Sequence, residues 1–485
     1  MSTDEEKVGI VWFRQDLRLS DNPALHQAVS ECDRVLAVFI DDPLEQGVSR
    51  LGAASRVWLH HSLHWLREAL RNKGGELFIS RGESLTVLNE LIETASISNV
   101  YWNRCYEPQT IARDKHIKAE LAAYHPHTFN GSLILEPWQN LKLNDTPYRV
   151  FTPFYKAAAA RITDNPELLE LLPEPATVPA LKPKAAMRVG SLSCMTEIDF
   201  LPKEPWHQEM MSSWKVGEKA ARLKVKRFSK SALQDYSEGR NIPSIEGTSK
   251  LSPHLHFGEI SSRQVISSLL EGRTMLELSD SKLTYAKEIV WREFAYSLLF
   301  HNPEMPKEPL DRRFQRFPWL KKVDKNLQAW QQGQTGVPII DAGMRELYAT
   351  GWMHNRVRMI VGSYLVKNLL IPWQQGERWF RDTLIDADLA SNSMGWQWVA
   401  GCGADAAPFF RVFNPVLQGE KFDKSGEYVS RWVPEIAHLD TKWIHKPWEM
   451  DELSRKELSY PSPLVDLKET RARALEAFST VKGTK

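Results

Sequence analysis

The sequence predicts an α/β domain, a parallel sheet flanked by helices, followed by a mostly α-helical domain. Three observations carry this. At 485 residues the chain exceeds what one ordinary hydrophobic core organises. Short apolar runs rich in β-formers alternate with helical patterns over the first 130 residues, as in a parallel sheet covered on both faces. Beyond about residue 210 strand signals fade and helical periodicity dominates. The expected organisation is residues 1–130 as the α/β domain, 131–210 as a connector and 211–485 as the helical domain.

Taken in order, VGIVWF (8–13), RVLAVFI (34–40), ELFIS (76–80) and NVYWNR (99–104) are the strand candidates. Between the second and third, Leu59, Leu63, Leu66 and Leu70 recur at four, three and four. That spacing puts them on one helix face, closed by Lys73-Gly74. Neither G-x-G-x-x-G nor G-x-x-x-x-G-K-[ST] occurs, so the ordinary dinucleotide and P-loop cradles are missing. A small-molecule site at the sheet's C-terminal edge remains open to this domain. Prolines from Pro166 to Pro205, Pro183 among them, interrupt the next stretch and mark it as connector. KVGEKAARLKVKRFSKSAL then forms a basic amphipathic helix whose charges read as a solvated face. Further helices are expected around 261–271, 281–301, 341–349, 353–370 and 376–385.

Composition narrows the class. Hydrophobic residues at 42% and charged residues at 25% belong to a soluble globular protein. The acidic start MSTDEEKVGIVWF lacks the pattern of a secretory signal, and no run of about 18 apolar residues suits a membrane span. Cys32, Cys105, Cys194 and Cys402 are scattered without a CxxC pair. They argue against a disulfide framework, a zinc site or an iron–sulfur cluster, and for the cytoplasm. A net charge of +1 means that any nucleic-acid binding must come from charge gathered on one face. Of the 18 tryptophans, packing accounts for most.

Several long blocks resemble the photolyase/cryptochrome family. They are VWFRQDLRLSDNPAL, EGTSKLSPHLHFGEIS, EIVWREF, TGVPIIDAGMRELYATGWMHNRVRM, DADLASNSMGWQWVAGCGADAAPFFRVFNP and QGEKFD. The resemblance covers nearly the whole chain and is nearest to bacterial and plant-like cyclobutane pyrimidine dimer photolyases. It implies FAD, active as FADH⁻, and repair of UV-damaged DNA driven by blue light. It also implies a monomer without membrane or obligatory protein partners.

The residues carry the chemistry as follows. Hydroxyls and backbone N–H groups of Thr248, Ser249, Leu251 and Ser252 could hold phosphate oxygens or simply cap a helix. By resemblance this block binds the FAD diphosphate and Tyr236 also touches the cofactor. Lys250 stands where many members carry Arg, a point charge in place of a forked donor. Asp386 and Asp388 could be a surface pair, and with no His or Cys beside them a metal is disfavoured. The resemblance implies instead that Arg358 pairs with Asp386 beside the flavin ring, that Asp388 lies near, and that Asn392 faces flavin N5. An amide both donates and accepts, which suits more than one flavin redox state. Plant cryptochromes tend to carry Asp there and animal ones Cys, so Asn392 favours repair.

Trp291 and Trp398 are implied as walls of the lesion pocket, and Glu288 as a hydrogen-bonding partner of the thymine. Asn355 and Met359 share a helix face at i and i+4. The (6-4) photolyases carry His at the matching positions, so the cyclobutane dimer is the expected lesion. Trp396, Trp373 and Trp319 match the family's electron relay, with core packing as the plain alternative. Arg240, Arg292, Arg356 and Arg411 match positions near DNA, where Arg suits bidentate phosphate contact. The second, antenna chromophore is open between methenyltetrahydrofolate, a deazaflavin, a flavin and none. Gln109 and Thr110 stand where some folate-type relatives have Asn and Glu. The rival readings are a cryptochrome-type photoreceptor, disfavoured by Asn392 and by the absence of a long polar tail after residue 485, and an ordinary flavin oxidoreductase, which lacks a nicotinamide fingerprint.

Overall fold

The computed structural model describes residues 6–43, 50–181, 200–320, 324–406 and 410–482. Pro183, Cys194 and residues 407–409 of the long C-terminal block lie outside them. Strands β1 (Val8–Phe13), β2 (Arg34–Asp41), β3 (Leu77–Arg81), β4 (Asn99–Asn103) and β5 (Pro126–Phe129) form one parallel sheet in the order β3-β2-β1-β4-β5. Helices α1 (Pro23–Glu31), α2 (Ala53–Arg71), α3 (Ser84–Ala95) and α4 (Pro108–Glu120) connect them. β1 is buried at every residue, as a central strand covered on both faces must be. Asn22 starts α1 by accepting the Leu25 N–H, with Pro23 in the first turn. The four leucines expected on one face of α2 are all buried. β5 was not foreseen: it has four residues, opens on proline and is only half-buried.

The stretch expected as connector contains helix α5 (Phe151–Asp164), with Phe151, Phe154, Ala158 and Ile162 buried on one side. That side packs into the core of the helical domain around Phe294. The proline-rich segment after it returns to the sheet, where the Val35 N–H donates to the Pro179 carbonyl at 2.7 Å. The chain then continues as α6 (Trp206–Ser212), α7 (Glu218–Lys230), α8 (Tyr236–Gly239), α9 (Ser252–His256), α10 (Ser262–Leu270) and α11 (Asp280–His301). Next come α12 (Asp324–Gln331), α13 (Pro338–Thr350), α14 (Asn355–Ser363), α15 (Trp373–Thr383) and α16 (Leu389–Ala400). The helical domain closes with α17 (Pro415–Phe422), α18 (Glu427–Trp432), α19 (Glu452–Lys456) and α20 (Leu467–Lys482). The helix expected over 353–370 is α14 followed by a π-helical segment, Tyr364–Asn368.

The block VWFRQDLRLSDN joins the two domains. Arg18 is fully buried and spends its guanidinium on four carbonyls: Ser20 at 3.1 Å, Gly258 at 2.9 Å, and Asp21 and Gly131 at 2.6 Å each. The Glu218 carboxylate accepts the Leu19 N–H at 2.8 Å, and Asp21 pairs with Arg263 at 3.0 Å. Gly258 has φ +64, and a Cβ there would lie 2.1 Å from the Gln15 carbonyl oxygen. Only glycine fits both that backbone and that approach.

A second tie crosses from residues 134–135 to α11. The Glu293 carboxylate accepts the N–H groups of Ile134 at 2.9 Å and Leu135 at 3.2 Å. Burial pushes its carboxyl up to about 7, against the Arg292 charge and those hydrogen bonds. A raised folded-state value means stability is full in acid and falls as pH rises toward and through 7. Unfolding at pH 5 and pH 8 should therefore differ by on the order of 2 kcal/mol from this group alone. A Glu293→Gln variant should show a flatter dependence in urea titrations at the two pH values; an unchanged slope with pH contradicts the assignment.

Candidate active site

The cleft of the helical domain is built from four segments that the sequence separates widely. The turn after α8 and the loop before α9 touch: a Cβ on Gly247 would lie 2.3 Å from the Gly239 carbonyl oxygen. Lys250 takes a left-handed backbone, φ +49, and its Nζ lies 3.4 Å from Glu246 and 5.3 Å from the Trp352 ring. The Trp352 indole N–H donates to Ser252 Oγ at 3.3 Å, and the Leu251 N–H reaches Ser249 Oγ at 3.4 Å. Thr248 and Ser249 stay half-buried beside them. Tyr236 is buried against Phe228 and Tyr285, and Arg240 sits 5.5 Å over its ring.

From α14, Arg358 reaches across to Asp386 at 2.8 Å and donates to the Met353 carbonyl at 2.8 Å. Asp386 Oδ1, His354 Nε2 and Arg356 Nε are buried without a partner among the described residues. These leftover donors and acceptors, beside the hydroxyl-bearing loop, fit a polar dinucleotide such as FAD. Asn392 lies on α16, and its amide nitrogen donates to the Glu377 carbonyl at 3.1 Å and carboxylate at 3.0 Å. That commitment leaves the amide oxygen as what Asn392 can offer. Burial pushes the Glu377 carboxyl up. Asp388 also has a structural task. It caps α16 through the Ser391 N–H at 2.8 Å and binds the Tyr296 hydroxyl. Burial opposes its charge, yet His256, Arg292 and Tyr296 hold its carboxyl below the usual range. It positions the helix that carries Asn392.

Trp291 stacks on Phe151 with centroids 3.6 Å apart and planes 7° off parallel. The Asp405 carbonyl accepts from the Trp398 indole N–H at 3.2 Å, and burial pushes the Asp405 carboxyl up against the opposing pull of the Phe151 backbone N–H. Phe151, the ring that covers one face of the expected pocket residue Trp291, is one that sequence reasoning missed. The helical spacing of Phe151 was legible; the stack was not. Glu288 and Arg240 meet at 2.6 Å. Arg356 pairs with Asn241, lies 3.7 Å from the Met359 sulfur and covers the Phe422 ring at 4.4 Å. Asn355 and Arg411 are exposed. Arg292 corrects the expectation of a DNA contact. Its guanidinium points inward to Ser132 and Ser262 and over the Tyr296 ring at 4.9 Å, because the buried Glu293, Asp388 and Tyr296 need a cation there.

Trp396 and Trp373 are buried in one core, with Trp319 packed at its edge against Phe317 at 4.3 Å. The ring contacts of Trp396 are with Phe380 at 4.9 Å and Trp330 at 6.2 Å. At the sheet's C-terminal edge, a cavity of about 70 Å³ reaches from Arg14, Phe39 and Arg113 to Glu377 and Asn392. The strand order reverses at β1, so this is the topological switch point where open α/β sheets bind ligands. Gln109 is exposed and the Thr110 hydroxyl turns back to the Glu107 carbonyl at 2.9 Å, so neither brings an acid to it. No group of three or more ligating side chains suited to a metal occurs among the described residues. Among the described residues no helix is long and apolar enough to cross a membrane.

Comparison with known proteins agrees with this layout. Residues 9–177 match the DNA photolyase family and residues 285–480 match the FAD binding domain of DNA photolyase. The chain is 44% identical to a deoxyribodipyrimidine photo-lyase of Agrobacterium fabrum, with 98% of each chain covered. It is 36% identical to cryptochrome-1 of Arabidopsis thaliana, over 97% of this chain and 70% of that protein. A crystal structure of a bacterial class III photolyase from Agrobacterium tumefaciens superposes with a TM-score of 0.92 at 43% identity, covering 100% of this chain and 99% of the other. An archaeal photolyase from Sulfolobus tokodaii, solved with two FAD molecules, superposes with a TM-score of 0.77 at 29% identity, covering 98% and 100%. With its sheet domain, its helical cleft and full-length relatives all in agreement, the chain belongs to the DNA photolyase family and carries that family's FAD-binding domain.

Proposed function

We propose that the protein splits cyclobutane pyrimidine dimers in UV-damaged DNA, as a monomer in the cytoplasm. The observation that carries this is the half-buried Trp291 ring, held flat by its stack on Phe151, with the Trp398 indole fixed by the Asp405 carbonyl. Enzymes that act on a base take it out of the stack, photolyases among them, and aromatic faces replace the stacking it loses. When bound in reduced form, FAD supplies an electron donor excited by blue light. The chain's own residues orient and shield. Arg358 and Asp386 hold one side of the flavin site, Asn392 presents its amide oxygen, and the Thr248–Ser252 loop offers hydroxyls to the diphosphate. Glu288, held by Arg240, is placed to accept a hydrogen bond from the thymine N3–H. Arg356 and Arg411 supply cations for DNA phosphates.

Illuminating the reduced holoenzyme with dimer-containing oligonucleotide should restore intact thymines. Dimers that persist while the DNA stays bound would favour the photoreceptor reading, which the cryptochrome relatives keep in view. We further assign the cavity at the sheet edge to a second planar chromophore, by analogy with the two-FAD archaeal relative. The absorption spectrum of the purified protein shows flavin outright and any antenna band beside it.

The relay has its own test. Trp396 is the buried indole of α16, four residues beyond Asn392. A Trp396→Phe variant should photoreduce oxidised flavin at least about tenfold more slowly, a barrier increase of only about 1.4 kcal/mol. Repair by pre-reduced enzyme should be unchanged. Equal photoreduction in both proteins removes Trp396 from the path.

A further inference from the structure

The block GWMHNRVRM contributes Asn355, Arg356, Arg358 and Met359 to the site, and His354 in its middle has no assigned task. His354 is 2% exposed and precedes α14. Its Nδ1 accepts the Arg356 backbone N–H at 3.2 Å, so Nδ1 carries no proton. Burial and the charges of Arg356, Arg358, Lys250 and Arg240 push the imidazole down to about 3, so the ring is neutral at any working pH. Both arguments put the remaining proton on Nε2. That N–H is buried and has no acceptor among the described residues. Leaving it unmet would cost a full desolvation penalty. The neighbouring cations offer donors only, and the Glu346 carboxylate takes the His354 backbone N–H at 3.3 Å rather than the ring.

We propose that His354 is a cofactor-positioning residue whose Nε2–H donates to an oxygen or nitrogen acceptor of the bound FAD. The inference rests on the flavin reading of this cleft. It gives one side chain two jobs: Nδ1 starts the helix carrying Arg358, and Nε2 fixes the dinucleotide against it. Cofactor placement and the start of α14 are thereby coupled through one ring.

Two substitutions separate the jobs. His354→Asn keeps a strong N-cap acceptor but is too short to place a donor where Nε2 lies. His354→Gln reaches that position with its amide N–H and weakens the cap. The readout is FAD release from the full-length holoenzyme, followed by the rise of flavin fluorescence on dilution. The dissociation constant should rise roughly tenfold in His354→Asn and stay within about threefold of the parent in His354→Gln. Thermal unfolding should rank the two the other way. Should His354→Asn not fold, His354→Ser, also a good cap without reach, replaces it. Parent-like affinity in the Asn or Ser variant overturns the proposal, because the donor then faces only water. Equal weakening in Asn and Gln variants also overturns it, because the role is then packing. A parent protein that holds no FAD refutes the flavin reading itself, and the proposal with it.

Discussion

An Arg18→Met variant loses at least about 4 kcal/mol of stability, the cost typical of breaking a buried charged network by removing one partner. The residue touches no substrate. Its guanidinium satisfies the carbonyls of Ser20, Asp21, Gly131 and Gly258, which belong to the first domain, the start of the connector and the second domain. Methionine fills much the same volume and satisfies none of them. Each buried acceptor left unmet costs about 1–3 kcal/mol. The carboxylates of Asp16 and Asp21, which oppose the desolvation of Arg18, would also lose a nearby positive charge, although Asp21 keeps Arg263. Arg18→Lys keeps the charge but not the fork, so it should fall between the two. Chemical denaturation of the holoenzyme measures this. A midpoint unchanged in Arg18→Met would mean that the domains are held elsewhere.

The second large effect is on the lesion. Trp291→Ala removes the ring that lies flat on Phe151 at 3.6 Å. Stacking on an aromatic side chain is worth about 1–3 kcal/mol per base, so affinity for dimer-containing DNA should fall roughly tenfold to a hundredfold. Undamaged DNA should bind as before, because its affinity comes from phosphate neutralisation by cations that the substitution leaves in place. Flavin content should also be unchanged. Equal weakening toward damaged and undamaged DNA would move the pocket away from Trp291.

Much of the fold was legible. β1 to β4 follow from short apolar runs rich in β-formers, and the leucine face of α2 from a period of 3.6 read along the chain. The same reading passed over β5, whose four residues carry too little pattern, and it left α5 inside a connector. The family blocks named residues that meet in one cleft but not the contacts of each. Asp388, expected as a cofactor neighbour, also caps a helix, while Arg292, expected at DNA, is spent on internal carboxylates and serines. His354 drew no attention, because a histidine inside a motif looks the same whether its second nitrogen is met or not.

The order of strands and helices, the absence of a phosphate-cradling glycine motif and the identity of the cleft's segments were written in the sequence. Each depends on local periodicity or on runs of neighbouring residues. Which side chains face the cleft was decided only by tertiary structure. The pairing of Arg240 with Glu288 spans 48 residues, and Arg18 reaches Gly258 across 240. Contacts of that range depend on how helices pack and on which buried polar groups remain to be satisfied, and those are properties of the folded interior rather than of any window along the chain.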